Sequence, residues 1–296
     1  MKSVQLTCLA LIWAVVGAYG QDLKRIDNAA ADWQESLKAS GSEHGKADVN
    51  ASLLRHLTSV SLAGVTSTVQ DRTVEPQQNG RSKVSLEFGM DLVSRYVWRG
   101  IDYGDAPAFQ PYASVSIAGF EFGAWGSYAF GAPAGAPPFS ENELYLEYTY
   151  SASVGTFTAT ISDYYFPSDG LKFFNYRRGN EGAHTLELCF GYGGTQEFPL
   201  NLVAAANVHN DTSNSVYFEA GYSFEVEGVS VNAFVGGTRG ESAWYEVEDK
   251  GFRVINVGLT FSKSIPISSS FSLPVSVSVG VNPYAEQSIL VFKIGL

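Results

Sequence analysis

Acidic side chains recur at alternate positions along this sequence, and that spacing limits the chemistry open to them. Glu87 and Asp91 share one parity, as do Glu143 and Glu147, with Glu121, Glu187 and Glu219 in comparable settings. Arg95 and Lys293 oppose them, and Arg99 lies just beyond the first such run. Successive side chains of a strand point to opposite faces. One face of a sheet would therefore collect carboxylates, favouring cations and disfavouring acidic sugars or phosphate. Arg95, Arg99 and Lys293 offer an alternative, neutralising the acids in structural networks. Tyr112, Trp125, Tyr145, Tyr164 and Tyr217 fall on the same face. Their rings either form a stacking track for sugars or nucleosides or fill a tapering interior.

Other chemistry-bearing residues are weaker. His184 is followed by Thr185, and His209, Asn210, Asp211 and Ser213 crowd into one loop. A triad needs nucleophile, base and orienting group brought together, and the loop cluster reads as a solvated turn. Glu246, Glu248 and Asp249 form an acidic loop that either faces water or holds calcium or magnesium. There is no Gly-rich phosphate loop, Cys/His metal spacing or dinucleotide fingerprint. No catalytic residue, metal site or cofactor is expected, and Cys189 reads as an inert inward thiol. A net charge of -11 argues against a nucleic-acid partner.

The elements that would position these residues begin at Val84. Val84, Leu86, Phe88, Met90 and Leu92 are apolar, and Ser85, Glu87, Gly89 and Asp91 between them are not. This period of two marks a strand with one greasy and one wet face. Similar runs lie near 84–98, 108–118, 120–130, 142–152, 156–166, 183–193, 199–209, 215–226, 229–237, 252–262, 270–281 and 287–296. Their number, about 12, is even, and each is about ten residues long, as tilted membrane strands require. Connections tend to alternate between tight (Ala118-Gly119, Ser153-Val154-Gly155, Glu227-Gly228) and long (99–107, 131–141, 167–182, 238–251). Short turns at one rim and long loops at the other characterise outer-membrane barrels. Tyr96, Trp98, Tyr128 and Phe130 on the apolar face near the long loops, with Phe120, Tyr150, Phe157, Tyr192 and Phe224 near the short turns, predict two aromatic girdles. The fold class expected is all-β: a closed antiparallel transmembrane barrel of about 12 strands. An ordinary soluble β-protein is the competing reading, since soluble antiparallel sheets alternate too.

The N-terminal part differs. Lys2, the apolar run Leu9–Val16 and the small residues around Ala18-Tyr19-Gly20 read as a secretory signal cleaved near Gly20. Residues 1–20 are thus expected to be a signal peptide, 21–83 a periplasmic segment and linker, and 84–296 the barrel. Ala29, Ala30, Trp33 and Leu37 allow a short amphipathic helix, and 66–83 is polar. The segment is either a mobile tail or a plug for the barrel. Cleavage would remove Cys8 and leave Cys189 without a disulfide partner.

The run from Phe88 to Ile101, with its Trp98-Arg99-Gly100 step, resembles the opening strand of the TorF-type porin family. Ala106-Pro107-Ala108-Phe109-Gln110-Pro111 and Gly123-Ala124-Trp125-Gly126-Ser127 extend the likeness over residues 86–130. The resemblance implies a pore-forming barrel in a bacterial outer membrane but names no substrate. Combined with the acidic face, the expectation is a narrow channel for ions and small cationic or neutral solutes. Its lining would be Glu87, Asp91, Arg95, Tyr112, Glu121, Trp125, Glu143, Tyr145, Glu147, Glu187, Tyr217, Glu219 and Lys293, with Arg99 at the mouth. Expected partners are outer-membrane lipid and lipopolysaccharide, the barrel-assembly machinery through the C-terminal strand, and small solutes. The alternative is a non-conducting surface protein acting as adhesin, receptor or scaffold.

Overall fold

The computed structural model describes residues 84–296 except Asp105. The readings made for residues 1–83, including the signal peptide, the linker and the possible plug, lie outside the described residues.

Twelve strands close into an antiparallel barrel, and two further short strands form a separate hairpin. In chain order they are β1 (Ser85–Val93), β2 (Val97–Trp98), β3 (Ile101–Asp102), β4 (Ala108–Ile117), β5 (Phe120–Ala129), β6 (Ser140–Ala152) and β7 (Gly155–Tyr165). There follow β8 (His184–Thr195), β9 (Phe198–His209), β10 (Val216–Val226), β11 (Val229–Arg239), β12 (Phe252–Pro266), β13 (Ser272–Asn282) and β14 (Gln287–Gly295). Barrel strands pair with their sequence neighbours, and β1 closes the ring between β4 and β14. At the seam Leu92 faces Ile294 and Val93 faces Lys293. Beyond it, Met90 and Leu296 exchange backbone bonds of 3.1 and 2.8 Å, so the last residue is part of the wall.

The residue period places apolar side chains outside and polar ones inside. Leu86, Phe88, Phe122, Phe190 and Phe292 are exposed, while Ser127, Glu143, Ser162, Glu187, Asn207 and Thr260 are buried. Soluble proteins sort the other way, and a lipid-facing barrel has this inversion. Ala118-Gly119 and Glu227-Gly228, all with positive φ, close hairpins as two-residue turns whose twist matches that of the strands. These tight turns share one rim with the start of β1 and the end of β14, and the long connections share the other.

The expected first strand, 84–98, is shorter than predicted. β1 ends at Val93, and the chain turns inward as the β2–β3 hairpin, with Arg99 and Gly100 at φ 50° and 84° in its turn. Tyr96 and Trp98, expected in the lipid-facing girdle, are only 3% exposed, inside the barrel. Tyr96 and Trp98 resume the apolar parity of Leu92 after Ser94, so the pattern alone cannot mark where the chain leaves the wall. Tyr128, Phe130, Phe120, Tyr150 and Phe157 do lie on the exposed outer face.

Candidate functional site

The site is the barrel interior. Near the short-turn rim its acids are held by neighbouring hydroxyls and one lysine. Lys293 Nζ lies 3.2 Å from Asp91. Glu121 accepts bonds from Ser116 (3.0 Å) and Tyr145 (2.9 Å). Glu147 accepts bonds of 3.1 Å from both Thr149 and Thr160. Tyr112 and Tyr145 lie across Gly89 and Gly123 on adjacent strands, where an added Cβ would come within 2.6 and 2.2 Å of the phenol. Missing side chains therefore let the rings lie flat against the wall.

Toward the long-loop rim the interior is filled. Arg99, 4% exposed, donates from both terminal nitrogens to Glu187, at 2.5 and 2.9 Å. It also donates to Tyr245 Oη at 2.7 Å and lies over the rings of Trp98 (4.3 Å) and Tyr217 (4.7 Å). Tyr164 Oη completes Glu187 at 3.2 Å. Two-point carboxylate recognition is the geometry that guanidinium fits. Trp98 stacks on Tyr245 at 5.7 Å, which sits on a second inward segment closed by mutual backbone bonds between Ser242 and Val247. Tyr96, Tyr103, Trp125, Phe139 and Trp244 continue this aromatic mass.

Two register shifts lie in the strands around the hairpin. One shifts the β8–β9 register between Leu186 and Glu187. The other shifts β11–β12 between Gly236 and Gly237 and skips Ile255. Ile255 and Asn256 consequently both turn inward, breaking the parity of β12. Gly100 packs against this bulge: a Cβ there would lie 2.0 Å from the Ile255 carbonyl oxygen. Asn282 donates to the Gly100 carbonyl at 3.2 Å. Asn256 donates to Tyr217 Oη and to Glu219, both at 3.0 Å, and Tyr217 donates to Glu219. Bulges re-aim side chains at functional positions, and the one at Ile255 is where Gly100 of the hairpin meets the wall.

Glu87, Asp91, Tyr112, Glu121, Trp125, Glu143, Tyr145, Glu147, Glu187, Tyr217, Glu219 and Lys293 all belong to the inner parity of barrel strands. Arg95 does not, because β1 has ended; it pairs with Asp102 at 3.0 Å within the loop. Arg99, expected at the mouth, lies inside the wall beside β8 because the hairpin folds inward. Glu141, 4% exposed, shares the inner face and lies one residue outside the expected strand 142–152, because β6 starts at Ser140. Tyr245 and Trp244 sit in a connection with no periodicity to betray them. The carboxylate of Glu143 and the hydroxyl of Ser162 are buried without hydrogen-bond partners.

The loop candidates are structural in geometry. His184 Nδ1 meets Asp163 at 2.7 Å, its Nε2 meets the Phe173 carbonyl, and Tyr176 stacks on the ring at 4.0 Å. Partial burial and, after it, the bond to Asp163 push the Tyr176 phenol up to about 12. Asp211 caps its own turn through the amides of Ser213 and Ser215, at 2.9 and 2.8 Å. A hydrogen bond from Arg253 holds the Asp249 carboxyl below its ordinary value. Among the described residues no cluster of three or more His, Cys, Asp or Glu could hold a metal ion.

A closed antiparallel barrel with an apolar outside, a polar inside and a hairpin lodged in its interior has the architecture that outer-membrane β-barrels share. More particularly, residues 77–272 match the family described as "Bacterial protein of unknown function (Gcw_chp)", and the chain belongs to that family. No curated protein matches it.

Proposed function

We propose that the protein is a channel of the bacterial outer membrane that passes ions and small cationic or neutral solutes, and that the β2–β3 hairpin holds it shut. The observation carrying this reading is the Arg99–Glu187 pair, which fastens a short connection inside a closed wall. The acids of the inner face outnumber its bases, since Lys293, Arg253 and the hairpin's Arg99 oppose Glu87, Asp91, Glu121, Glu141, Glu143, Glu147, Glu187 and Glu219. An opened lumen of that sign concentrates cations. The likeness of residues 86–130 to TorF-type porins supports the same reading. Export through a signal cleaved near Gly20, lipopolysaccharide contact, and assembly through the outward Leu290, Phe292, Ile294 and Leu296 of the last strand complete the proposal. It includes no catalytic role and no cofactor.

The test is planar-bilayer recording of the full chain under a salt gradient. Small conductance steps with a cation-selective reversal potential are expected, larger and more frequent once the hairpin is released. Anion selectivity would overturn the charge argument. A second reading, a non-conducting adhesin, receptor or scaffold, is favoured by the aromatic mass that fills the long-loop end. Absence of conductance in both wild type and a hairpin-released variant would select it.

A further inference from the structure

The connection between β7 and β8 is built outward, unlike the hairpin. Its segment 170–177 lines a groove of about 690 Å³. Asp163, Tyr165 and His184 alternate with the inward Ser162, Tyr164, Thr185 and Glu187, so they face the outside of the wall. All three pin the segment there. Tyr165 donates to the Leu171 carbonyl at 2.9 Å, Asp163 accepts from Tyr176 at 2.9 Å, and His184 meets the Phe173 carbonyl. Asn175 braces the base, donating to the Glu181 carbonyl at 2.9 Å and accepting from the Ala183 amide at 2.8 Å.

What this scaffold presents is unusual for a loop. Phe174 is 88% exposed, more than any other large apolar side chain among the described residues, and Leu171, Phe173 and Tyr176 are exposed beside it. Interleaved are Lys172, Arg177 and Arg178, all exposed and without an ion-pair partner among the described residues. The flanking acids, Asp169 and Glu181, stand at either end. No other long connection is net positive in sequence, and the chain carries a net charge of -11. Exposed aromatic and aliphatic side chains on the outer side of the wall, next to clustered cations, match the boundary between acyl chains and anionic headgroups.

We propose that residues 170–178 dock a phosphorylated lipid of the surrounding leaflet. Lys172, Arg177 and Arg178 hold its phosphate, and Phe173 and Phe174 rest on its acyl chains. The inference rests on the membrane reading above and names one lipid class for one loop. Free inorganic phosphate would satisfy the cations and leave the apolar half unused.

Native mass spectrometry of the detergent-solubilised full chain tests it, with phosphatidic acid and phosphatidylcholine as competing probes. Wild type should retain phosphatidic acid preferentially. Each cation removed should weaken that preference about fivefold, so K172A/R177A/R178A should lose it. F174S should lower retention of both lipids while keeping the preference. Equal retention of phosphatidic acid by wild type and the triple variant would overturn the proposal. So would full displacement by inorganic phosphate with no effect of F174S. A parallel flotation assay separates the two layers of argument. If the chain fails to float with liposomes of any composition, the membrane reading falls and takes this site with it. If it floats and shows no phosphate preference, only the docking site falls.

Discussion

Replacing Arg99 by alanine should unhook the hairpin and leave the wall standing. The guanidinium is 3% exposed and bound at two points to a carboxylate that is 1% exposed. Removing one partner of such a pair costs about 3–5 kcal/mol, because the other charge stays buried alone. Contacts with the faces of Trp98 and Tyr217 add about 2 kcal/mol each, the value for a desolvated pair. The molecule has an escape, however: the hairpin swings out and Glu187 rehydrates. The lower figure, about 3 kcal/mol, is then the appropriate one, corresponding to roughly a 150-fold rise in the unhooked fraction. The wall is spared because β1 and β4 pair directly from Ser85–Ser116 to Val93–Ala108, whatever the hairpin does. A reporter already exists. Cys189 is 3% exposed, lies two residues from Glu187 on the same inner face, and is the only thiol once Cys8 is replaced by serine. Its modification rate by a small cationic thiol reagent should rise about 100-fold in R99A. E187Q should behave similarly, and R99A/E187Q should resemble either single variant rather than their sum. R99K should fall between, since an ammonium cannot grip both oxygens. If Cys189 in R99A reacts at the wild-type rate while the barrel keeps its heat-modifiable gel mobility, the pair does not hold the hairpin and the argument fails.

Three further outcomes are expected. G100A should release the hairpin as R99A does, because the position has φ +84° and a methyl group would meet the Ile255 carbonyl; Cys189 reactivity reads this as well. E143Q should change the stability of the barrel by less than about 1.5 kcal/mol, since the amide matches the buried carboxyl in shape, and a denaturant titration in detergent should show a nearly unmoved midpoint. In a difference titration against Y176F, phenolate absorbance should isolate one tyrosine with a midpoint near 12. With the folded value raised, the contribution of Tyr176 to loop docking is complete below the ordinary tyrosine value and lost as pH climbs through the folded one, so the fluorescence anisotropy of a dye attached at F174C should fall in that window and not in neutral solution.

The wall was legible because its cause is local. Any strand between lipid and a polar interior must alternate, and the alternation of Val84–Leu92 or Leu290–Leu296 is visible without knowing its partners. Parity likewise assigned Glu121, Glu143, Glu147, Glu187 and Glu219 to the interior, and glycine-containing turns such as Ala118-Gly119 marked the tight rim. Period-two patterning failed where the cause is distant. Tyr96, Trp98 and Arg99 keep the rhythm of a strand, yet leave the wall because Glu187, some ninety residues on, supplies the matching charge (|i−j| = 88). Ile255 breaks parity through a bulge that no single residue announces.

The sequence by itself determined which side chains meet apolar surroundings and which do not, since that choice is made residue by residue against solvent. Only the tertiary structure decided that the interior is occupied, and by what. Closing the ring brings Glu187, Tyr217, Tyr245, Ile255 and Asn282 around a single hairpin, and a meeting of groups so far apart along the chain exists only after the wall has shut.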